Sequence, residues 1–406
     1  MSVWAALIRR LFLWLPSTQF YAMTAASVLP TLDQAPVPSA ARRDFELKPF
    51  IASSNWIGSW QLANTLIPYG LLWWLAVVCL QHRSWWLAPV LGLMVLFLAR
   101  CFSLMHDCGH NSLFRNRRAN RLAGFLLGVV AGIPQLPWSR GHAFHHRYNG
   151  NWEQYKGPSA VTTVGEYAQL SERNKAFYRL LRHPLMLLPG GFFYLVIKPR
   201  IALLSGLADL IQQAIRHAIQ QISRLPRPFA GLVASQPEVR WSSRAWHSPE
   251  EGIDLLLNNL VVLGTWMAAA AWIGPGPFWM IYTPVMSLGA AIFICIFFVQ
   301  HNFPGSYARG NHDWRAMDGV LAGTSNLELP PLLNWFSADI GCHAIHHLCE
   351  AIPNYRVRAC QERNAHLLQG VMHLRLADFA SCFPYVLWDP AAGVLTTVQA
   401  MEQHNP

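Results

Sequence analysis

Four apolar runs, each about as long as the hydrocarbon core of a bilayer is thick, constrain this chain more than any other feature. A helix needs about 20 such residues to cross that core. The runs lie at roughly residues 61–80 (QLANTLIPYGLLWWLAVVCL), 85–105, 253–273 and 278–299. In lipid every backbone polar group must be satisfied within the segment, so runs of this kind become helices. The connectors 81–84 (QHRS) and 274–277 (GPGP) are very short, and they join the runs as two transmembrane hairpins. Composition agrees. Charged residues make up only 13% of the chain and the 18 tryptophans are a high count, where soluble domains carry about 25% charge and Trp is favoured at bilayer interfaces.

Charge placement sets the expected topology. The two connectors carry only Arg83, whereas Arg115, Arg117, Arg118 and Arg121 follow the second run and Arg42, Arg43 and Lys48 precede the first. Positive-inside bias then puts both termini and the long central segment in the cytoplasm. The same bias accounts for the net charge of +10, with an acidic partner as the secondary reading. No basic run is interleaved with stacking aromatics, which disfavours nucleic-acid binding. Residues 122–138 and 182–206 are apolar but broken by Gly and Pro, and the second also holds Lys198 and Arg200. Both read as segments at the membrane surface. Residues 203–222 repeat apolar positions at helical spacing, as an interfacial helix would. The opening MSVWAALIRRLFLWLP reads as an amphipathic surface segment without a cleavage site.

The expected fold is therefore an all-α integral membrane protein, with four transmembrane helices in two hairpins and a cytoplasmic helical cap. Residues 1–54 form an N-terminal interfacial segment, and 55–385 the membrane domain with its cap in 106–252 and 300–385. Residues 386–406 form a tail. The eight cysteines show no CxxC pair and call for no oxidising compartment.

Of the 17 histidines, eight fall into three tight clusters: His106 and His110 in HDCGH, His142, His145 and His146 in HAFHH, and His343, His346 and His347 in HAIHH. On a helix, positions i, i+3 and i+4 share a face, so each cluster can aim its imidazoles at one point. Every cluster also falls at or beyond the cytoplasmic end of a run. His301, at the end of the fourth run, reads alone as a helix anchor. Beside eight others on the same side it reads as a ligand. A tetrahedral zinc takes four ligands and a haem one or two, so this many imidazoles point to two metals of higher coordination number. Imidazole suits Fe, Zn, Cu and Ni, which leaves the metal open. Cys342 and Cys349 fall roughly 100° to one side of the third cluster on a helix, so thiolate ligation is not expected.

With these clusters the sequence resembles the membrane fatty acid desaturases, whose hallmark is an HxxxH, HxxHH, HxxHH series, and most the bacterial and plant acyl-lipid Δ12 (omega-6) branch. The likeness extends to GNWEQYKG with VTTVGEY, to RHPLMLLPGGFFYLV and to LPPLLNWFSADIGCHAIHHLCEAIPNYR, and covers roughly residues 55–360. Asp339 and Cys342 depart from the branch, which usually has Asn and an aromatic there. The resemblance implies a non-haem centre of two iron ions held by His106, His110, His142, His145, His146, His343, His346 and His347, with His301 as an extra ligand. It implies an O2-dependent enzyme that leaves a cis double bond in a fatty acyl lipid or acyl thioester. No catalytic residue apart from the metal centre is expected.

Acids commonly orient ligating histidines, and Asp107 and Asp339 are the candidates. No ferredoxin-type cysteine series is present, so electrons are expected from a separate donor such as a ferredoxin or b-type cytochrome, docking on the basic cytoplasmic face. The expected location is a bacterial inner membrane. Two rival readings remain at this point. One is a hydroxylase, acetylenase or carotenoid oxygenase of the same superfamily, which product analysis would separate. The other is a metal or proton transporter, whose ionisable groups should sit near mid-membrane; these clusters lie outside the apolar runs.

Overall fold

The computed structural model describes residues 40–155, 160–223 and 243–404. The N-terminal amphipathic expectation lies outside the described residues. The first hairpin consists of α1 (Asn55–Gln81) and α2 (Leu87–Gly109). Ser54 starts α1 by accepting the Ile57 amide at 3.4 Å, which satisfies one of the amides a helix N-terminus leaves open.

From α2 the chain turns into α3 (Arg117–Ala131), bends at Gly132 with φ +73° and continues as α4 (Gln135–Arg147). α3 and α4 meet at 99°. After β1 (Thr162–Thr163) come α5 (Leu187–Phe192), a π-helical turn at Phe193–Ile197, and α6 (Lys198–Ser223). The second hairpin is α7 (Pro249–Ile273) and α8 (Pro275–Val299). β2 (Ser325–Glu328), α9 (Pro331–Phe336), α10 (His343–Leu348), α11 (Asn354–Arg363), β3 (Met372–Arg375), β4 (Tyr385–Asp389) and β5 (Val394–Thr397) follow, before a last short helix at Val398–His404.

Among the described residues, five helical stretches are long and apolar enough to cross a bilayer: the four hairpin helices and Pro184–Gln220. Large aromatics mark the hairpin ends, as interfacial anchors do. Trp56 and Trp60 stand exposed at the start of α1, and Trp85, Trp86, Trp272 and Trp279 at the connector ends. Between the hairpins, α2 and α8 approach closely. A Cβ on Gly289 would lie 2.6 Å from a Leu98 methyl, so any larger residue would have to push the buried Leu98 side chain aside. The Phe102 and Phe293 rings stack 3.8 Å apart across the same interface.

A charged side chain, Arg100, is almost fully buried within the first hairpin. Arg100 on α2 donates to Thr65 Oγ1 of α1 at 2.9 Å and to the Trp335 carbonyl of α9, and lies 3.8 Å from the Trp335 ring. A buried guanidinium is tolerated only when its donors are met. Here they fasten α9 of the cap onto the hairpin.

The expected all-α fold needs correction. β1, β4 and β5 form a three-stranded sheet, with β1–β4 parallel and β4–β5 antiparallel, and β2 pairs in parallel with β3. The reason lies in short alternating or β-rich runs. YVLWD and VLTT bury Val386, Leu387, Trp388 and Leu395, and they flank a turn in which Asp389 accepts the Ala391 and Ala392 amides while Gly393 takes φ +70°. The segment set apart above as a tail from residue 386 is thus hydrogen-bonded to Thr162–Thr163 by its first strand.

Candidate metal centre

Four elements carry the nine histidines to one place. α2 carries His106 in its last turn, and His110 is its C-terminal cap. α4 holds His142, His145 and His146 on its last turns, α10 holds His343, His346 and His347, and His301 follows α8 by two residues. The helical spacing does locally what the sequence indicates: each HxxHH triplet presents all its rings to one side. The hairpins supply the rest by ending α2 and α8 beside each other.

The rings sort into two groups. His106, His110, His142, His146 and His346 offer nitrogens all within 4.8 Å of one another, and so do His145, His301 and His347. His343 joins the second group through its Nε2, 3.0 Å from that of His301. The groups touch where the His146 and His347 rings stack, 4.1 Å between centroids.

Distances within the groups test whether a metal fits. His146 Nε2 stands 3.0 Å from the Nε2 of His142 and 3.0 Å from that of His346. A single proton on His146 can serve only one of these contacts. Two nitrogens each about 2.1 Å from a metal and at right angles about it are about 3.0 Å apart. Other buried nitrogens have no hydrogen-bond partner: Nε2 of His106 and His110, both nitrogens of His145 and His347, and Nδ1 of His146 and His343. Burying such groups unpaired costs about 1–3 kcal/mol each. Metal coordination would remove that cost, and the donor set fits it.

Electrostatics favour the ligating form. Burial, reinforced by neighbouring imidazoles, pushes His145, His146, His343, His346 and His347 well below the ordinary histidine value. Burial also pulls His301 down to about 4, against the opposing effect of the Gly323 carbonyl. Neutral imidazole is the form that binds metal.

The outer nitrogens are held in turn. His106 Nδ1 meets Asp107 Oδ1 at 3.2 Å, and the second Asp107 oxygen accepts from the Asn354 amide and side chain at 2.9 and 2.8 Å. His301 Nδ1 faces the Gly323 carbonyl at 3.1 Å. Asp339 stands elsewhere: it pairs with Arg358. Glu350 takes the place expected of it, with its carboxylate 3.2 Å from His110 Nδ1. Sequence reasoning passed over Glu350 and Asn354, although Glu350 follows His347 by three residues, a spacing that could have drawn attention. Cys342 and Cys349 are buried and free, and neither belongs to a histidine group.

A cavity of about 420 Å³ opens beneath the five-histidine group, within the range of small-molecule sites. Leu96, Ala99, Ser103 and His106 line it from α2, Phe293 and Phe297 from α8, and Phe336 from α9. Its wall is almost wholly apolar, and His106 brings the five-histidine group to its surface.

Together these features define a helical membrane protein with histidine groups able to hold metal at the head of an apolar cavity. The sequence model for the fatty acid desaturases matches residues 83–374, well over half of the chain, and the chain belongs to that family. It is 29% identical over 330 residues to a fatty acid desaturase of Bacillus subtilis, covering 81% of this chain and 82% of the relative. It is 27% identical over 280 residues to an sn-1 oleoyl-lipid 12-desaturase of a Picosynechococcus species, with 69% of each chain covered. A Synechocystis sn-1 oleoyl-lipid 12-desaturase is 23% identical over 284 residues, covering 68% of each. The protein is thus an enzyme that desaturates fatty acyl chains.

Proposed function

We propose that the nine histidines hold two iron ions, the five-histidine group one and the second group, with His343, the other. The observation that carries this is the set of buried, partnerless nitrogens converging at the head of an apolar cavity. Bound there, iron supplies the one-electron oxygen chemistry, with O2 as co-substrate, that unactivated C–H bonds require. The chain's own part is positional. The aromatic and aliphatic wall holds an extended acyl chain and excludes water, while His106 fixes how near its methylenes come to the centre. Asp107, locked by Asn354, keeps the His106 ring from rotating. The two relatives named for 12-desaturation of sn-1 oleoyl lipids make lipid-linked oleoyl chains the first substrate to test.

Four crossings, with Pro184–Gln220 entering and leaving on the histidine side, fit the contacts around that stretch. Gly191 packs so closely on α8 that a Cβ would lie 2.7 Å from that of Ala290, which is deep along α8. Downstream, Asp209 on α6 pairs with Arg244 at 2.9 Å, just before α7 begins where Glu251 meets Arg140 of α4. Upstream, the Tyr178 hydroxyl donates to Val386 in the cap at 2.6 Å. Both flanks therefore lie with cap elements. Positive-inside bias makes that side cytoplasmic, in a bacterial inner membrane. A separate acidic redox protein supplies two electrons there. Residues 40–54 lead in from that side, and 55–385 form the catalytic unit with the strands that follow.

The test is lipid analysis of a host lacking its own desaturase. Expression should yield new double bonds. His346→Ala should lower them at least about 100-fold, since a lost ligand costs more than the 10–100-fold of a lost outer partner. Unchanged lipids with the native chain would refute the proposal.

A further inference from the structure

The two histidine groups are not supported alike. In the five-histidine group two acids stand behind the rings: Asp107 on His106 Nδ1 and Glu350 on His110 Nδ1, each at 3.2 Å. The same Glu350 oxygen lies 3.6 Å from His146 Nδ1. Among the described residues of the second group, the corresponding partner is neutral, the Gly323 carbonyl on His301. His145, His347 and the outer nitrogen of His343 have no hydrogen-bond partner.

We propose that Glu350 is a positioning carboxylate that makes the five-histidine position the tighter of the two metal positions, filled first and emptied last. The inference rests on the two-metal reading above. A carboxylate on Nδ1–H fixes the tautomer, turns the Nε2 lone pair inward and raises its basicity. His110 fits this closely, because its inward Nε2 is buried and has no protein partner. Chain placement makes the contact specific. Glu350 directly follows Cys349, the C-terminal cap of α10, so the element that supplies His346 also supplies the acid that steadies His110 on α2's cap and approaches His146 on α4. One residue thus ties the three clusters to a single metal position. Its carboxylate is half exposed, so water competes with the contact. Of the two rings only His110 lies within hydrogen-bond reach of the carboxylate; His146 Nδ1, at 3.6 Å from the same oxygen, has no hydrogen-bond partner and feels the carboxylate only electrostatically.

The experiment counts bound iron. Unaltered protein, Glu350→Gln, Glu350→Asp and His145→Ala are purified in detergent, loaded anaerobically with ferrous iron and titrated with a ferrous chelator. The unaltered protein should hold two irons and release them in two steps. His145→Ala should lose the easily released iron alone, which identifies that step with the second group. Glu350→Gln should move the later step about 10–100-fold toward the earlier one, and Glu350→Asp should recover part of the difference. Helical circular dichroism of each variant checks that the fold is intact. Release from Glu350→Gln in the same two steps as the unaltered protein would overturn the role of Glu350 while leaving two metals in place. Fewer than two irons in the unaltered protein would overturn the two-metal reading and this inference together.

Discussion

At the residue scale the centre is built from neutral histidines that depend on burial. An imidazole held below its ordinary value binds fewer protons folded than unfolded, where it titrates near 6.5. Its contribution to stability is therefore intact above about pH 6.5 and is lost as pH falls, until the folded value is reached. For His301 that value is about 4. Each such histidine removes up to about 1.4 kcal/mol per pH unit in this window. Metal-free protein in detergent should show a melting temperature that falls steeply between pH 6.5 and 4.5 and is nearly level from 7 to 8. A level profile across the acid window would show that the rings are not held neutral by burial. The histidines themselves were legible in the sequence, because imidazole spacing on a helix dictates a shared face. Their outer partners were only half legible. Asp107 adjoins His106 in the chain, but Asn354 reaches it from 247 positions away, and Asp339 satisfies Arg358 instead.

At the element scale, α9 is the cap element through which Arg100 holds a wall of the cavity. Phe336 lines the cavity, and the preceding Trp335 is gripped through its carbonyl and ring by Arg100. Arg100→Leu keeps an apolar side chain in place but leaves the Thr65 hydroxyl and the Trp335 carbonyl short of a donor. It should cost about 1–3 kcal/mol, read as a lower melting temperature. It should also broaden the product mixture, because a loosened wall no longer fixes how far the acyl chain slides. Double-bond positions mapped by mass spectrometry provide the check. A single unchanged product would show that α9 is held by other contacts. The four hairpin helices could be expected from apolar run length alone. The strands could not, since two to five residues of β-rich sequence near loops gain meaning only when a distant partner completes the sheet, as Thr162–Thr163 does for β4.

At the scale of the whole molecule, the topology makes a direct claim about sides. The eight native cysteines are buried or half-buried, so an added surface cysteine should dominate labelling by a membrane-impermeant maleimide. Ala176→Cys precedes the apolar stretch Pro184–Gln220, and Ala218→Cys lies at its far end. Both should label only from the side that carries the histidines, and His82→Cys, at the end of α1, only from the opposite side. Labelling of Ala176→Cys and Ala218→Cys from different sides would make Pro184–Gln220 a fifth crossing. By itself the sequence determined the membrane class, the four hairpin helices and the histidines that share helix faces. These follow from local quantities: run length against bilayer thickness, and residue spacing against helical pitch. Only the tertiary structure decided how the nine rings divide between two groups, which acids stand behind them and how a tail strand joins the cap. Those features depend on side chains brought together from distant parts of the chain, and no local pattern encodes such meetings.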